Sequence, residues 1–156
     1  MHTQTAVTQA LSRMDIPYKL HVHENQLRSL EQAARERGLE PEQIVRSLLF
    51  RMEGGEFVMV LIPGPSKVDW VKLRHFLGVS RVTTARPQEV EEVTGYPTGA
   101  VSPFGLQEEV RLLADESVQD IEVISLGAGM RNAGVILESR HLVKALKPEL
   151  GDFTER

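Results

Sequence analysis

The chain has 156 residues, and its hydrophobic fraction of 41% and charged fraction of 26% exclude a disordered chain. This length suits one core, so we expect a single domain over residues 1–156. The net charge of −4 argues against a protein that coats DNA or RNA by bulk phosphate attraction. A local cationic patch would still be enough to bind the end of a nucleic acid.

Three absences narrow the function classes further. The chain has no cysteine, which excludes a disulfide framework, a thiolate nucleophile and a zinc–thiolate site. No apolar run approaches the ~20 residues that cross a bilayer. The N-terminal stretch "MHTQTAVTQALSRMD" lacks the basic-then-apolar layout of a signal peptide. We therefore expect a cytoplasmic protein that does not contact a membrane.

In the first half of the chain, apolar periodicity predicts alternating helices and strands. A helix that ends near Met14 is followed by a half-buried strand, a helix, a hairpin of two strands turned by "EGGE", and a further helix. Asp69 is placed to cap that last helix, and Val68 and Leu73 can pack across the cap. The predicted segments are 3–15, 18–23, 27–38, 43–52, 56–63 and 67–78.

The second half adds strands and two helices around a segment crowded with helix and strand breakers. Ser139 is a candidate cap for the last helix, and Pro148 is expected to lie beyond its end. The predicted segments are strand 81–85, helix 87–95, strands 110–115, 121–127 and 132–138, and helix 139–150. Strands and helices mixed in this way predict an α/β or α+β domain built on a mixed sheet.

The breaker-rich segment "GYPTGAVSPFG", residues 95–105, holds three glycines and two prolines. Glycines let a backbone approach a ligand closely, and successive free N–H groups can bind an anion or an ester oxyanion. The residues alone also allow a tight structural turn. A nucleophilic serine is disfavoured, because no G-x-S-x-G elbow occurs and no base is tied to Ser102 by the sequence.

Arg46 is a second candidate, because it lies in the apolar strand "IVRSLLF" on the same side as Ile44 and Leu48. A cation on an apolar strand face needs a partner, which is either a ligand phosphate or a structural glutamate, unless the side chain reaches solvent.

His21 and His23 share a strand face, but spacing nominates no third metal ligand, so we expect no metal.

Other features have simpler interpretations. The glycine-rich turn "GAGMRNAG", residues 127–134, lacks the G-K-[ST] ending of a phosphate-binding P-loop. The charged stretch "ARERGLEPE" is interpreted as solvated surface. We interpret Trp70, Phe76 and Leu77 as core residues.

Four segments in this order resemble the YbaK/ProRS-type editing-domain family. They are "EQAARERGLEPEQIVRSLLFR", "GEFVMVLIPGPSKVDWVKL", "TGYPTGAVSPFGL" and "GAGMRNAGVILESRHLVKAL", within a similarity that runs from about Tyr18 to Leu146. The third is the most specific, since the family carries a G-Y-x-x-G-x-x-S-P-type loop there. The resemblance implies a strongly curved mixed sheet surrounded by helices. It also implies a trans-editing aminoacyl-tRNA deacylase that protects translation fidelity by hydrolysing the ester of mischarged tRNA.

The resemblance also assigns roles to particular residues. In the family the loop holds the ester carbonyl, and a ribose hydroxyl of the tRNA helps to activate water. The family lysine that contacts the phosphate of the terminal adenosine aligns with Arg46, and a neighbouring threonine aligns with Ser47. The implied backbone donors are Gly99, Ala100 and Val101, and the implied substrate-binding residues are His23, Ser47, Gly95, Ser102, Pro103, Gly127 and Gly129.

The implied partners are the 3′ end of an aminoacyl-tRNA and, as a second candidate, an aminoacyl-tRNA synthetase, with no DNA, no cofactor and no metal. Two rival functions remain open. The first is a non-catalytic module on the same fold that binds aminoacyl-tRNA or a synthetase, which is motivated by arginine in place of the family lysine. The second is a small-ester hydrolase that uses Ser102 as its nucleophile.

Overall fold

The computed structural model of the chain describes residues 3–156, within which five α-helices and eight β-strands are present. The predicted mixed α/β class is confirmed. None of these helices has the length and apolar character needed to cross a membrane. The helices are α1 (Ala6–Arg13), α2 (Leu30–Arg37), α3 (Trp70–Leu77), α4 (Pro87–Thr94) and α5 (Ser139–Leu146). The strands are β1 (Lys19–Val22), β2 (Val45–Met52), β3 (Phe57–Pro63), β4 (Val82–Thr84), β5 (Arg111–Asp115), β6 (Val123–Gly127), β7 (Ala133–Glu138) and β8 (Glu149–Gly151).

The strands form two sheets, where the sequence led us to expect one. One sheet has the order β4-β2-β3-β5-β8 and the other has the order β1-β7-β6. The predicted β2–β3 hairpin is antiparallel, whereas β3 and β5 are parallel, as a crossover connection requires. A single bridge between Ile44 and Ser125 joins the two sheets.

The outer edge of β2 is only partly covered. β4 pairs with residues 50–52 at one end of β2. Among the described residues no strand runs beside residues 45–49 on that edge, and the bridge at Ile44 marks its far end. This gap between the sheets opens a cavity along β2.

Strand β3 separates the two hydrophobic clusters of the core. Met59 and Leu61 belong to the cluster between the sheets, and Val58, Val60 and Ile62 belong to the cluster under α3. All five side chains are fully buried. A strand buried on both faces is expected to be a continuous apolar run, as "FVMVLI" is.

The cap of α3 is confirmed, and the predicted cap of α5 is wrong. The Asp69 carboxylate accepts hydrogen bonds from the N–H groups of Val71 and Lys72, both at 3.1 Å. Ser139 is the first helical residue of α5, and Glu138 precedes it without a side-chain cap. The reason is that β7 runs directly into α5, so the extended backbone of Glu138 occupies the cap position.

The C-terminal tail also differs from the prediction, because α5 ends at Leu146 and β8 pairs in parallel with β5. A three-residue strand is too short for its periodicity to be recognised in sequence. Beyond β8, Phe153 is fully buried, and its carbonyl accepts a hydrogen bond from the Asp69 N–H at 2.8 Å. The Glu155 N–H donates to the Lys67 carbonyl at 2.9 Å, so the tail fixes the segment that leads into α3.

Gly105 offers a test of how the breaker-rich segment packs. Its φ is +70°, and a Cβ there would lie 2.5 Å from the Ala6 carbonyl oxygen and 2.6 Å from the Tyr96 hydroxyl. We expect Gly105→Ala to lower the free energy of unfolding by about 2–4 kcal/mol, combining left-handed strain with overpacking. Urea denaturation measures this loss.

Gly55→Ala is the matched control, because Gly55 has φ +89° and a Cβ there would meet nothing within 4 Å. We expect Gly55→Ala to show the strain alone, about 1–2 kcal/mol. Equal losses in the two variants would mean that Gly105 is not tightly packed against α1.

Candidate functional site

A cavity of about 1080 Å³ lies along the open edge of β2. Every residue from 44 to 50 borders it, and so do side chains of α2, the end of β6 and the segment that leads into α3. Its other walls are formed by Leu27, Ser29, Leu30, Ala33, Arg37, Lys67, Val68, Trp70, Thr84, Ala85, Pro87, Val90, Thr98, Gly99, Val101, Leu126, Gly127, Ala133 and Glu155. The cavity therefore brings together several of the residues that the sequence nominates from distant parts of the chain.

The charged side chains that line the cavity are mostly cationic. They are Arg37, Arg46, Lys67 and Glu155, three cations against one carboxylate, in a chain whose net charge is −4. This local excess of positive charge favours an anionic ligand in a protein that would repel a polyanion elsewhere on its surface.

Arg46 and Ser47 contribute polar atoms that have no protein partner. One Arg46 Nη donates to the Ser66 carbonyl, while Arg46 Nε and Ser47 Oγ are buried without a hydrogen bond to any residue in 3–156. Burial lowers the pKa of Arg46, and among these residues no carboxylate pairs with it. Leaving such a buried group unpaired costs about 1–3 kcal/mol.

Two of the three predicted backbone donors are available in the loop. Gly99 and Val101 line the cavity, and their N–H groups meet no acceptor among residues 3–156. Ala100 as a donor is wrong, because its N–H already donates to the Pro97 carbonyl at 3.0 Å and the residue is fully buried. The tight turn that begins at Pro97 uses this amide, so it anchors the loop instead of facing a ligand.

The glycine-rich turn that begins at the end of β6 packs directly against the loop. A Cβ at Gly127 would lie 2.9 Å from the carbonyl carbon and oxygen of Ala100, and closer still to the Val101 carbonyl oxygen. The Gly129 N–H donates to the Ala100 carbonyl at 2.9 Å. Gly127 borders the cavity, whereas Gly129 does not line it and packs against the Tyr96 ring.

The ends of the loop are held together by a residue that sequence reasoning did not single out. The Tyr96 hydroxyl lies 2.6 Å from the Phe104 carbonyl oxygen and 2.9 Å from that of Gly105. Burial raises the pKa of Tyr96 to about 12, so it remains a neutral donor. Gly95 ends α4 with φ +84° and faces Gln107, so it shapes the loop without lining the cavity.

Ser102 and Pro103 are buried and do not line the cavity. Ser102 Oγ accepts a hydrogen bond from the Phe104 N–H at 3.1 Å. Within residues 3–156 no histidine or carboxylate is hydrogen-bonded to this hydroxyl. Ser102 therefore stabilises the turn, and its position does not suit a nucleophile.

His23 lies behind the cavity wall, so its predicted place in the pocket lining is wrong. It is buried, and its Nδ1 lies 2.7 Å from a Glu36 carboxylate oxygen. Arg37 Nε donates to His23 Nε2 at 3.0 Å, so Nδ1 carries the proton that is donated to Glu36. His23 thereby orients Arg37, which does line the cavity.

Arg37 lines the cavity, although its sequence context does not indicate a role in the site. Its guanidinium donates to Ser125 Oγ at 2.9 Å and crosses Gly134, where a Cβ would lie 2.7 Å from Nη2 and closer to other guanidinium atoms. Burial lowers the pKa of Arg37. An arginine in the last turn of a charged helix is typical of solvated surface. Arg37 becomes part of the cavity wall because strands β6 and β7, which are distant in sequence, pack against it.

The interpretation of Trp70 as a core residue is wrong. Its side chain is 38% exposed and borders the cavity, and Phe76 is 40% exposed on the same helix. Leu73 and Leu77 supply the apolar contacts of α3 to the second cluster, so the two aromatic residues lie on its flanks.

The two strand histidines are close without forming a larger cluster. The ring centroids of His21 and His23 are 4.5 Å apart. In the part of the chain that the structure describes, no three His, Asp or Glu side chains converge in a way that could hold a metal ion.

Known proteins provide an independent comparison. The proline–tRNA ligase of Thermosipho melanesiensis is 32% identical over 111 residues, which are 71% of this chain and 19% of that enzyme. The chain thus spans about a fifth of the length of that ligase. The uncharacterized protein YwhH of Bacillus subtilis is 32% identical over 114 residues, which are 73% of this chain and 72% of that protein.

Solved structures agree over nearly the whole chain. A structure described as a proposed trans-editing enzyme for prolyl-tRNA synthetase superposes with a TM-score of 0.87 at 26% identity, covering 97% of this chain and 96% of that one. The hypothetical protein APE2540 superposes with a TM-score of 0.88 at 27% identity, covering 97% of this chain and all of that one. Residues 24–145 match the family model described as the aminoacyl-tRNA editing domain, and the chain belongs to that family.

Proposed function

We propose that the chain is a trans-acting aminoacyl-tRNA deacylase, which hydrolyses the ester between a wrongly attached amino acid and the 3′ end of a tRNA. One observation carries the proposal. The free N–H groups of Gly99 and Val101 border the same cavity as Arg46 and Ser47, whose buried polar atoms lack protein partners. Membership in the editing-domain family supports the same activity.

The loop amides stabilise the negative charge that develops on the ester carbonyl oxygen. Water adds to the ester carbonyl carbon, the carbonyl oxygen becomes an oxyanion, and the N–H groups of Gly99 and Val101 donate to it. One such donor is typically worth ~10²–10³ in rate. The C–O bond to the ribose then breaks, and the ribose oxygen takes up a proton.

Activation of the water is assigned to the substrate. Among the residues that line the cavity, Glu155 is the single carboxylate and no histidine is present. An aminoacyl ester is already reactive, and a hydroxyl of the terminal ribose lies beside it in every aminoacyl-tRNA. This hydroxyl is therefore the group that orients the attacking water.

Arg46 binds the phosphate of the terminal nucleotide. One end of its guanidinium is held by the Ser66 carbonyl, and its Nε has no partner among residues 3–156. A guanidinium presents several donors in a fixed fork that matches phosphate oxygens. The cavity volume of about 1080 Å³ exceeds what an amino acid alone needs, which leaves room for a nucleotide.

The relatives suggest which substrates to examine first. The matched region of proline–tRNA ligases and the structure described as a proposed trans-editing enzyme for prolyl-tRNA synthetase both relate to tRNA for proline. We therefore propose mischarged tRNA for proline as the first substrate class and prolyl-tRNA synthetase as a candidate partner.

The central test measures hydrolysis of a panel of mischarged tRNAs by the protein and by Arg46→Gln. We expect at least one tRNA to be deacylated well above the buffer rate. For Arg46→Gln we expect kcat/KM to fall about tenfold to a hundredfold, because a hydrogen bond to a charged group is lost. Arg51→Gln is the control, since Arg51 lies exposed on the same strand, pairs with Glu89 and does not line the cavity.

Two outcomes would contradict the proposal. If no tRNA is hydrolysed faster than in buffer while a known deacylase is active in the same assay, the enzyme function is wrong. If only Arg46→Lys gains activity, the natural protein is a binding module on this fold and not a deacylase.

The oxyanion assignment is tested through the contact beneath the loop. Gly127→Ala would push the Ala100–Val101 peptide out of place, so we expect kcat to fall about a hundredfold while substrate binding changes little. Gly54→Ala is the control, because the nearest atom to a Cβ there is Glu56 Oε1 at 3.7 Å. Single-turnover rates and circular dichroism separate lost catalysis from lost folding. Unchanged turnover in Gly127→Ala would contradict the assignment.

The ester-hydrolase alternative is tested with Ser102→Ala. The variant loses one hydrogen bond to the Phe104 N–H, so we expect a loss of stability of about 1 kcal/mol and a change in turnover below tenfold. Complete loss of turnover in a variant that remains folded would make Ser102 the nucleophile and overturn the mechanism proposed above.

A further inference from the structure

The mouth of the cavity carries an exposed aromatic side chain that the deacylation mechanism does not use. Trp70 is 38% exposed and borders the cavity together with Lys67, Val68 and Glu155. It is the single tryptophan of the chain. A large apolar ring left partly in water beside a cationic cavity needs an explanation beyond packing.

The Trp70 ring packs against a buried aromatic side chain. It meets the buried Phe50 ring at a centroid distance of 5.3 Å and an interplanar angle of 89°. A perpendicular contact of this kind covers at most one face of the indole. Asp69 caps the helix at this residue, and the Asp69 N–H is bonded to the Phe153 carbonyl, so the platform is fixed before any ligand binds.

The groups around the indole suit a nucleotide. Lys67 is exposed, and among residues 3–156 it forms no ion pair, so its ammonium is available to a phosphate. Glu155 also borders the cavity, and its carboxylate suits a hydroxyl or an amino group of the ligand, not its phosphate. An aromatic face beside cations is the combination by which proteins hold single-stranded nucleic acid.

We propose that Trp70 stacks on the base of the terminal nucleotide of the tRNA substrate, with Lys67 next to the phosphate. This inference rests on the proposed function and names the part of the substrate that the cavity mouth recognises. Stacking does not distinguish between bases by hydrogen bonding, so the contact adds affinity for the shared 3′ end irrespective of the tRNA. It places the ester deeper in the cavity, toward the loop amides.

A protein partner that covers α3 is the competing explanation. Val71 is 67% exposed on the same helix and does not line the cavity, so a docking partner would contact it as readily as Trp70. A nucleotide in the cavity would contact Trp70 and not Val71. Val71 is therefore a matched control for the variants of Trp70.

Because Trp70 is the single tryptophan of the chain, its fluorescence reports whether a base is stacked on its ring. Fluorescence, excited at the red edge of indole absorption, is titrated with an RNA hairpin that ends in single-stranded CCA and with the same hairpin whose terminal nucleotide lacks its base. We expect saturable quenching by the complete hairpin and binding roughly five- to hundredfold weaker, without quenching, for the abasic one. Equal quenching by both hairpins, or none by the complete one, would overturn the proposal.

Kinetics of the variants give the second readout. For Trp70→Ala we expect the KM for a mischarged tRNA that the protein hydrolyses to rise roughly five- to hundredfold, with kcat within about twofold. Trp70→Phe restores most of the affinity, and Val71→Ala leaves both constants unchanged. A rise in KM for Val71→Ala as large as that for Trp70→Ala would favour a protein-docking surface and overturn the stacking assignment.

The two hypotheses fail separately. Quenching by the complete hairpin needs no turnover, so it can be observed even if no mischarged tRNA is hydrolysed, which would refute the deacylase alone. Deacylation without any response of the Trp70 emission refutes the stacking alone.

Discussion

The close approach of two backbones at Gly127 is the constraint on which the site depends. The Ala100–Val101 peptide occupies the space that a Cβ at position 127 would need, and the Gly129 N–H holds the Ala100 carbonyl from the same turn. Ala100 is fixed on both its N–H and its carbonyl, whereas the N–H groups of the cavity-lining residues Gly99 and Val101 meet no acceptor among residues 3–156. A side chain at 127 would remove this arrangement even if every other site residue were kept.

A second constraint is the short reach of β4. Because β4 pairs only with residues 50–52, the edge of β2 beyond them remains open, and the cavity forms where a continued sheet would otherwise lie. The same strand then presents Arg46 and Ser47 to this space. An acidic protein thus concentrates three cations at one cavity, an arrangement that favours an anionic ligand there while the rest of the surface does not.

The sequence predicted what depends on local pattern. The mixed fold, the β2–β3 hairpin and the Asp69 cap follow from periodicity and capping residues, and the structure confirms them. The loop was found because breakers are conspicuous in any window. Which amide of the loop is free could not be predicted, because the bond between the Ala100 N–H and the Pro97 carbonyl depends on the turn geometry and not on residue type.

The errors at Arg37 and Trp70 have a common cause in contacts between residues distant in sequence. His23 and Arg37 are close in sequence, but Arg37 becomes a wall residue only because Ser125 of β6 and Gly134 of β7 lie against its guanidinium. The large apolar side chain of Trp70 is typical of a core residue. It is partly exposed because it lies on a flank of α3 that the second cluster does not cover. Neither arrangement leaves a signal in a local window of sequence.

In the proposed function, Arg46 anchors a phosphate at the position where the family resemblance leads us to expect lysine. A lysine ammonium at position 46 would be a point charge on a flexible stem, whereas one end of the Arg46 guanidinium is already bound to the Ser66 carbonyl. That bond fixes the side chain without a ligand, so less conformational entropy would be lost if a phosphate bound there. The Arg46 Nε and the Ser47 hydroxyl both have no partner among residues 3–156, so strand β2 carries hydrogen-bonding capacity that the protein itself leaves unused.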